Sequence, residues 1–368
     1  MEGKDLARKN LMELTPYQPG KPIEEVEREL GISNVIKMAS NENPYGPSQR
    51  AQEAMQKAIQ QANMYPDGNC YYLKQLLCEK LNVEMDQLAL GNGSNELIKL
   101  ISKAYLSQGD EIVMADPSFS EYKTAAIISG AKAVEVPLTE EYKHDLDKMA
   151  AAIGPKTKLV YICNPNNPTG TLITASELSN FLEKLPEHVI LIMDEAYFEY
   201  VSSEENPDSV AEVKKGKNII VLRTFSKMYS LAALRVGYAI ARPDIIDFIN
   251  RVREPFNVNN IAQAAATASL QSEEHVEKSV KLNEAGKEYL MAELQKIGLN
   301  PISTETNFIF VDTGVDSKEL FQRMLKKGVI IRSGDIFGNP TFVRLTIGFE
   351  QDNERMVKVL AETIAEMK

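Results

Sequence analysis

The run Asn218-Ile219-Ile220-Val221-Leu222 passes through Arg223 into Thr224-Phe225-Ser226-Lys227, and Leu234-Arg235-Val236-Gly237-Tyr238 follows after a short gap. A short run rich in Ile and Val, without polar alternation, predicts a strand buried on both faces. Its far end delivers a hydroxyl and a lysine. Two other runs behave alike. Leu159 to Cys163 opens onto Asn164-Pro165-Asn166-Asn167-Pro168-Thr169-Gly170, and Val189 to Met193 opens onto Asp194-Glu195-Ala196-Tyr197. Further candidate strands are Glu111 to Ala115, Ala133 to Val136 and Val236 to Ile240, with amphipathic helices such as Ala175 to Leu185 between them. This alternation predicts an α/β fold, a large domain whose mostly parallel sheet is flanked by helices. Ligands in such sheets sit beyond the carboxyl ends of the strands. Three strand ends therefore bring candidate site groups to one edge.

Outward from that block the pattern changes. From about Asn259 to Gly298 it is long-helical, as Ala262 to Leu270 and then Val276 to Ile297, which predicts a helix bridging two domains. Short strands follow at Asn307 to Val311, Val329 to Ile331 and Phe342 to Ile347, with helices at Ser317 to Lys327 and Gln351 to Met367, the pattern of a small α+β domain. The expected division is an N-terminal arm over 1–30, a large domain over 31–258, and a bridging helix with the small domain over 259–368. A chain of 368 residues is long enough for such a division.

Hydrophobic residues at 43% and charged residues at 25% are ordinary for a globular enzyme. The formal net charge of -11 argues against nucleic acid or an anionic membrane as a partner. No apolar run approaches the roughly 20 residues that span a bilayer. Met1-Glu2-Gly3-Lys4-Asp5 leads into no apolar stretch of the signal-peptide kind, so the expected location is cytoplasmic. Cys70, Cys78 and Cys163 lack metal-ligand spacing and read as reduced thiols. His144, His188 and His275 are scattered, so neither a metal site nor a Ser-His-Asp triad is expected.

Lysine suits imine chemistry because a desolvated amine loses its proton near neutral pH. Lys227 at a strand end, with Ser226 and Arg235 to grip a phosphate, suits a Schiff base to pyridoxal phosphate; a surface lysine is the plain alternative. Gly91-Asn92-Gly93-Ser94-Asn95-Glu96 precedes a helix-periodic stretch, with Ser94 as a candidate N-cap and the helix start as a candidate phosphate site. Asp194 could keep a pyridine nitrogen protonated, or could simply cap the next helix. Tyr197 and Asn167 could reach the ring phenolate oxygen. Phe119 could stack on a flat cofactor, or sit in the core. Arg344 and Arg332 lie among apolar strand residues, where a guanidinium pairs with an anion, either a substrate's or a protein carboxylate's.

The order of these segments resembles the fold-type I pyridoxal-phosphate-dependent aminotransferases. Among them the chain is most similar to the bacterial histidinol-phosphate aminotransferases. That closer likeness rests on Pro16-Tyr17-Gln18-Pro19-Gly20-Lys21-Pro22, Ser40-Asn41-Glu42-Asn43-Pro44, Tyr65-Pro66-Asp67-Gly68, Asn164 to Gly170, Pro255-Phe256-Asn257-Val258-Asn259 and Thr306-Asn307-Phe308. It implies that Lys227 is the Schiff-base lysine and the base that takes the Cα proton. Asp194 would partner the ring nitrogen, Asn167 and Tyr197 the phenolate oxygen, and Phe119 the ring face. Ser94, Asn95, Ser226 and Arg235 would hold the cofactor phosphate. Tyr65 would reach the phosphate of the neighbouring subunit, which implies a homodimer with shared active sites. Arg344 would bind the substrate anion, with Arg332, Tyr17 and Asn43 as further substrate residues. Asn95 stands where that family often has aspartate, and Ala233 where it often has glycine.

The implied reaction is transamination of histidinol phosphate with 2-oxoglutarate, giving imidazole acetol phosphate and glutamate in histidine biosynthesis. Histidinol phosphate carries a phosphomonoester where glutamate carries its α-carboxylate, so one arginine would serve both anions in turn. An aromatic amino acid aminotransferase, or one accepting phenylalanine and tyrosine as well, is the same-fold alternative. A decarboxylase acting on a phosphorylated amino acid would share Lys227 and Asp194. A ligand-sensing regulator would need a fused DNA-binding domain, which an arm of about 30 residues is too short to supply.

Overall fold

A computed structural model of the chain describes residues 2–16 and 20–368. Its strands are β1 (Ile36–Lys37), β2 (Leu88–Gly91), β3 (Glu111–Asp116), β4 (Lys132–Pro137), β5 (Thr157–Cys163), β6 (Ile190–Asp194), β7 (Ile219–Thr224), β8 (Gly237–Ile240), β9 (Asn300–Pro301), β10 (Phe308–Asp312), β11 (Val329–Ile330), β12 (Arg332–Ser333) and β13 (Phe342–Thr346). Seven of them form one sheet in the order β2-β8-β7-β6-β5-β3-β4. From β7 to β4 every pairing is parallel, whereas β8 runs antiparallel to both β7 and β2.

The unbroken apolar runs have a physical reason. Val160, Ile162, Leu191, Met193, Ile219 and Val221 point into one core. Leu159, Tyr161, Ile192, Ile220 and Leu222 point into a second core on the opposite face. Side chains alternate faces along a strand, so helices on both sides make every position apolar. Each fully buried Leu, Ile or Val contributes about 1.5–3 kcal/mol over its exposed state.

The remaining strands form a four-stranded antiparallel sheet, β12-β13-β10-β9, and a two-stranded parallel pair, β1-β11. A third core joins Leu290, Leu294, Ile309, Val343, Leu345 and Leu360. The expected boundary after residue 30 does not follow the packing. The helix Ile23–Leu30 buries Val26, which packs with Val35 and Ala39 against Leu325 and Ile330. Together with β1, this stretch therefore builds on the C-terminal layer. The helix Asn260–Leu270 instead packs Ala262, Ala265 and Ala266 into the first core. The helix Glu273–Lys296 links the layers, with Val276 and Val280 beside Tyr197 and Met228, and Leu290 and Leu294 in the third core. Among the described residues no helix is long and apolar enough to cross a membrane.

Candidate active site

Beyond the carboxyl ends of β5, β6 and β7 lies a cleft lined by Cys163, Asn167, Asp194, Tyr197, Ser226 and Lys227, with Arg332 and Arg344 facing them from the C-terminal layer. Lys227 comes three residues after β7 ends. Its Nζ donates to the Ser40 carbonyl at 3.1 Å and lies 5.6 Å from the centre of the Tyr197 ring. Removal from water, with the Arg344 charge adding to it, lowers the Lys227 pKa from 10.5 to about 7. The amine is therefore available without its proton near neutrality, as imine chemistry requires.

Asp194 is the last residue of β6 and is buried. Its Oδ2 accepts from the Tyr122 hydroxyl at 2.7 Å, while Oδ1 is buried without a hydrogen-bond partner. Burial raises its pKa to about 6, and hydrogen bonds from the Tyr122 hydroxyl and the Ala196 N–H oppose that rise. An unpartnered buried carboxylate oxygen is costly unless a donor meets it. A protonated pyridine nitrogen is such a donor, so Asp194 fits a pyridoxal ring.

A third group gathers where a phosphate would lie. The helix Ser94–Tyr105 starts here, with Gly93 as its N-cap at φ +82° and Ser94 as its first helical residue. Ser94 is therefore not the cap that its residue type suggested. A helix start presents free backbone N–H groups and a positive dipole end. Arg235 Nη1 donates to Ser226 Oγ at 3.3 Å and to the Ala232 carbonyl at 3.0 Å. A Cβ at Gly93 would fall 2.4 Å from Arg235 Nη2, so the guanidinium reaches the helix start only because residue 93 is glycine. Ser94, Asn95, Ser226 and Arg235 all line the cleft. Glu96 turns back to accept from the Asn92 N–H and from Asn257 Nδ2, keeping its charge on that side. Ala233 is exposed.

The opposite wall comes from the chain ends. Arg344 in β13 is buried, donating to Asn167 Oδ1 and, at 2.8 Å, to the Ala39 carbonyl. The Tyr197 hydroxyl accepts from Asn41 Nδ2 at 2.9 Å, and burial pushes its pKa upward. Phe119 lies half-buried at the cleft edge.

Two expected residues, Asn43 and Tyr65, are not brought to this cleft. Asn43 Nδ2 donates to the Met228 carbonyl at 2.8 Å and Ser279 Oγ at 2.9 Å, and its Oδ1 accepts from the Tyr45 N–H at 3.1 Å. Its amide is thus committed to packing, and Asn41, two residues earlier, lines the cleft instead. Tyr65 is 82% exposed and stacks on Phe256, with ring centroids 4.7 Å apart, at a separate surface groove. Tyr17 lies outside the described residues. Asn41 and Tyr122 were missed in the sequence. Tyr122 carries no separate sequence signal, because Phe119 precedes the helix Glu121–Ser129 and no helical period links the two.

A profile of the family described as aminotransferase class I and II matches residues 33–360. The chain is 53% identical over 359 residues to a histidinol-phosphate aminotransferase of Moorella thermoacetica, covering 97% of this chain and 93% of that one. It is 45% identical to the Caldicellulosiruptor saccharolyticus protein of the same name, over 97% of this chain and 99% of that one. Among solved structures it is similar to the Sinorhizobium meliloti histidinol-phosphate aminotransferase in complex with pyridoxal-5'-phosphate, with a TM-score of 0.90, 26% identity and 97% of each chain covered. That likeness is one of fold-type I transferases, with the parallel sheet and its strand-end cleft. Cleft, sheet and whole-length similarity agree: the chain belongs to the class I and II aminotransferases.

Proposed function

We propose that this chain transaminates L-histidinol phosphate with 2-oxoglutarate, giving imidazole acetol phosphate and L-glutamate in histidine biosynthesis, with pyridoxal 5'-phosphate as cofactor. The observation that carries the reading is the pairing, within one cleft, of a lysine deprotonated near neutrality with a buried carboxylate oxygen lacking a donor. The names of the relatives at 53% and 45% identity support the substrate.

When bound, the cofactor supplies an electron sink for the pair left on the substrate Cα. Lys227 Nζ takes the Cα proton, a task suited to a base whose pKa lies near the working pH. Asp194, through its unpartnered Oδ1, would keep a proton on the ring nitrogen. Asn167 and Tyr197 would hold the phenolate oxygen, and Phe119 would cover the ring. Ser94, Asn95, Ser226 and Arg235 would hold the cofactor phosphate and so anchor the group. Arg344 receives the phosphate of histidinol phosphate in one half-reaction and the carboxylate of glutamate in the other, since both anions fit its planar fork. Arg332 adds to the grip on the more highly charged anion.

The active unit is a homodimer. Ile59, Met64, Tyr65, Tyr71, Tyr72 and Phe256 are exposed, and an apolar patch of that kind suits a second copy. Tyr65 in it would complete the partner's phosphate site. The same reading makes this a cytoplasmic enzyme. A coupled assay with histidinol phosphate, phenylalanine and tyrosine as donors tests it. Histidinol phosphate should give the highest kcat/KM; a higher value for phenylalanine or tyrosine would make this an aromatic aminotransferase.

A further inference from the structure

Tyr122 lies in the helix Glu121–Ser129 and is wholly buried. Its ring stacks on Tyr161, with centroids 4.4 Å apart and planes 15° apart, and meets the edge of Phe119 at 5.6 Å. Those two contacts fix the ring, so its hydroxyl has little freedom of direction. The hydroxyl donates to Asp194 Oδ2 at 2.7 Å, with the Cys163 thiol also against it. Cys163 pairs with Asp194 across β5 and β6, which sets the carboxylate over the same spot. The other oxygen, Oδ1, is left without a partner at the cleft.

A carboxylate attached by a single bond turns easily, and its two oxygens are equivalent until something distinguishes them. Here the rigidly held Tyr122 hydroxyl distinguishes them, with the Ala196 N–H as a second, backbone donor toward the carboxylate. We infer that Tyr122 is a positioning residue for the reaction: by engaging Oδ2 it aims Oδ1 at the cofactor ring nitrogen and holds Asp194 in its charged form. A hydrogen bond from a neutral hydroxyl to a carboxylate favours the anion. Only the anion can keep the ring nitrogen protonated. The same Phe119–Tyr122 edge contact ties the aim of Asp194 to the residue placed over the ring face.

The inference rests on the role given to Asp194, and a double-mutant cycle separates the two. Tyr122→Phe retains the ring and both of its ring contacts and removes only the hydroxyl. In the holoenzyme it should lower kcat about tenfold, with KM for histidinol phosphate and 2-oxoglutarate unchanged. In reconstitution of the apo-protein it should raise the cofactor Kd about tenfold, the scale of one hydrogen bond to a charged group. In an Asp194→Asn background the same substitution should change both quantities less than about twofold. If the two substitutions multiply as independent effects, or if Tyr122→Phe alone changes neither kcat nor cofactor Kd, Tyr122 serves packing only and the inference is wrong. If Asp194→Asn by itself leaves kcat and cofactor Kd intact, the role of Asp194 fails and this inference falls with it.

Discussion

Burial moves the pKa values of Lys227 and Asp194 away from their ordinary values in opposite directions, and that has a measurable cost in the apo-protein. The folded Lys227 pKa of about 7 lies below its unfolded value of 10.5. Between those values the unfolded chain carries a proton that the folded chain lacks, so stability rises with pH across that window. Asp194 acts lower. Its folded pKa of about 6 exceeds the unfolded 3.8, so its contribution falls as pH rises through that range. In denaturant titrations between pH 7 and 10, the apo-protein should gain a few kcal/mol relative to Lys227→Met. Equal pH slopes for the two proteins would contradict a lowered Lys227 pKa. In the holoenzyme, borohydride should fix the cofactor at Lys227, and Lys227→Ala should cut turnover by several orders of magnitude; labelling of another lysine would refute the assignment. The arginines should also separate. Arg344→Ala removes both an anion site and the donor to Asn167, so kcat/KM should fall for every donor. Arg332→Ala should cost histidinol phosphate about tenfold to a hundredfold more than phenylalanine, the worth of a charge-assisted hydrogen bond. An equal loss for both donors would leave Arg332 without a phosphate role. Asp194 was legible in the sequence because it directly follows an apolar run, and Lys227 because it directly follows a hydroxyl residue just beyond one. Asn41 was not. In Ser40-Asn41-Glu42-Asn43 either amide could face the cleft, and the choice depends on Asn41 adopting φ +57°, which residue type alone does not announce.

At the scale of elements, the sheet was readable where strands are long and buried on both faces, as β5, β6 and β7 are. The four-residue β2 escaped because so short a run shows no period. The reversal of β8 escaped because an apolar run carries no sign of its direction. That reversal matters to the site. It brings Gly237 against the start of the helix Ser94–Tyr105, where a Cβ would sit 2.7 Å from the Ser94 nitrogen and 2.9 Å from the Arg223 carbonyl. Two glycines, Gly93 and Gly237, thus let three elements close together at the proposed phosphate site. Gly93→Ala imposes a side chain at φ +82° and displaces Arg235, so cofactor affinity should fall tenfold or more while the apo-protein stays folded. Cofactor titration monitored by absorbance would decide it, and an unchanged Kd would show that Arg235 does not grip the phosphate. The Arg223–Glu195 ion pair, 2.9 Å long and buried, joins the ends of β7 and β6 behind the cleft, and nothing in the local sequence pattern announced it.

On the scale of the molecule, the cleft of one chain contains no residue from the Tyr65 region, which lies at a separate exposed groove. If that region serves a neighbouring copy, Tyr65→Phe and Lys227→Ala place their defects in different composite sites. Mixing the two weakened proteins should restore one intact site per heterodimer, measured as recovered activity after verified subunit exchange. No recovery, or a monomer by sedimentation, would refute the shared site. The cleft also draws on both ends of one chain. The Asn41 N–H donates to Thr346 Oγ1, 305 positions later, and β1 pairs with β11. At a translation rate of roughly 5–20 residues per second, about 15–60 s separate the emergence of these partners from the ribosome. Throughout that interval Val26, Val35 and Ala39 have no Leu325 or Ile330 to cover them. The nascent chain thus carries an uncovered apolar face on its N-terminal side, and a product cut short before β13 should be inactive however well its large sheet has formed, because it lacks Arg344.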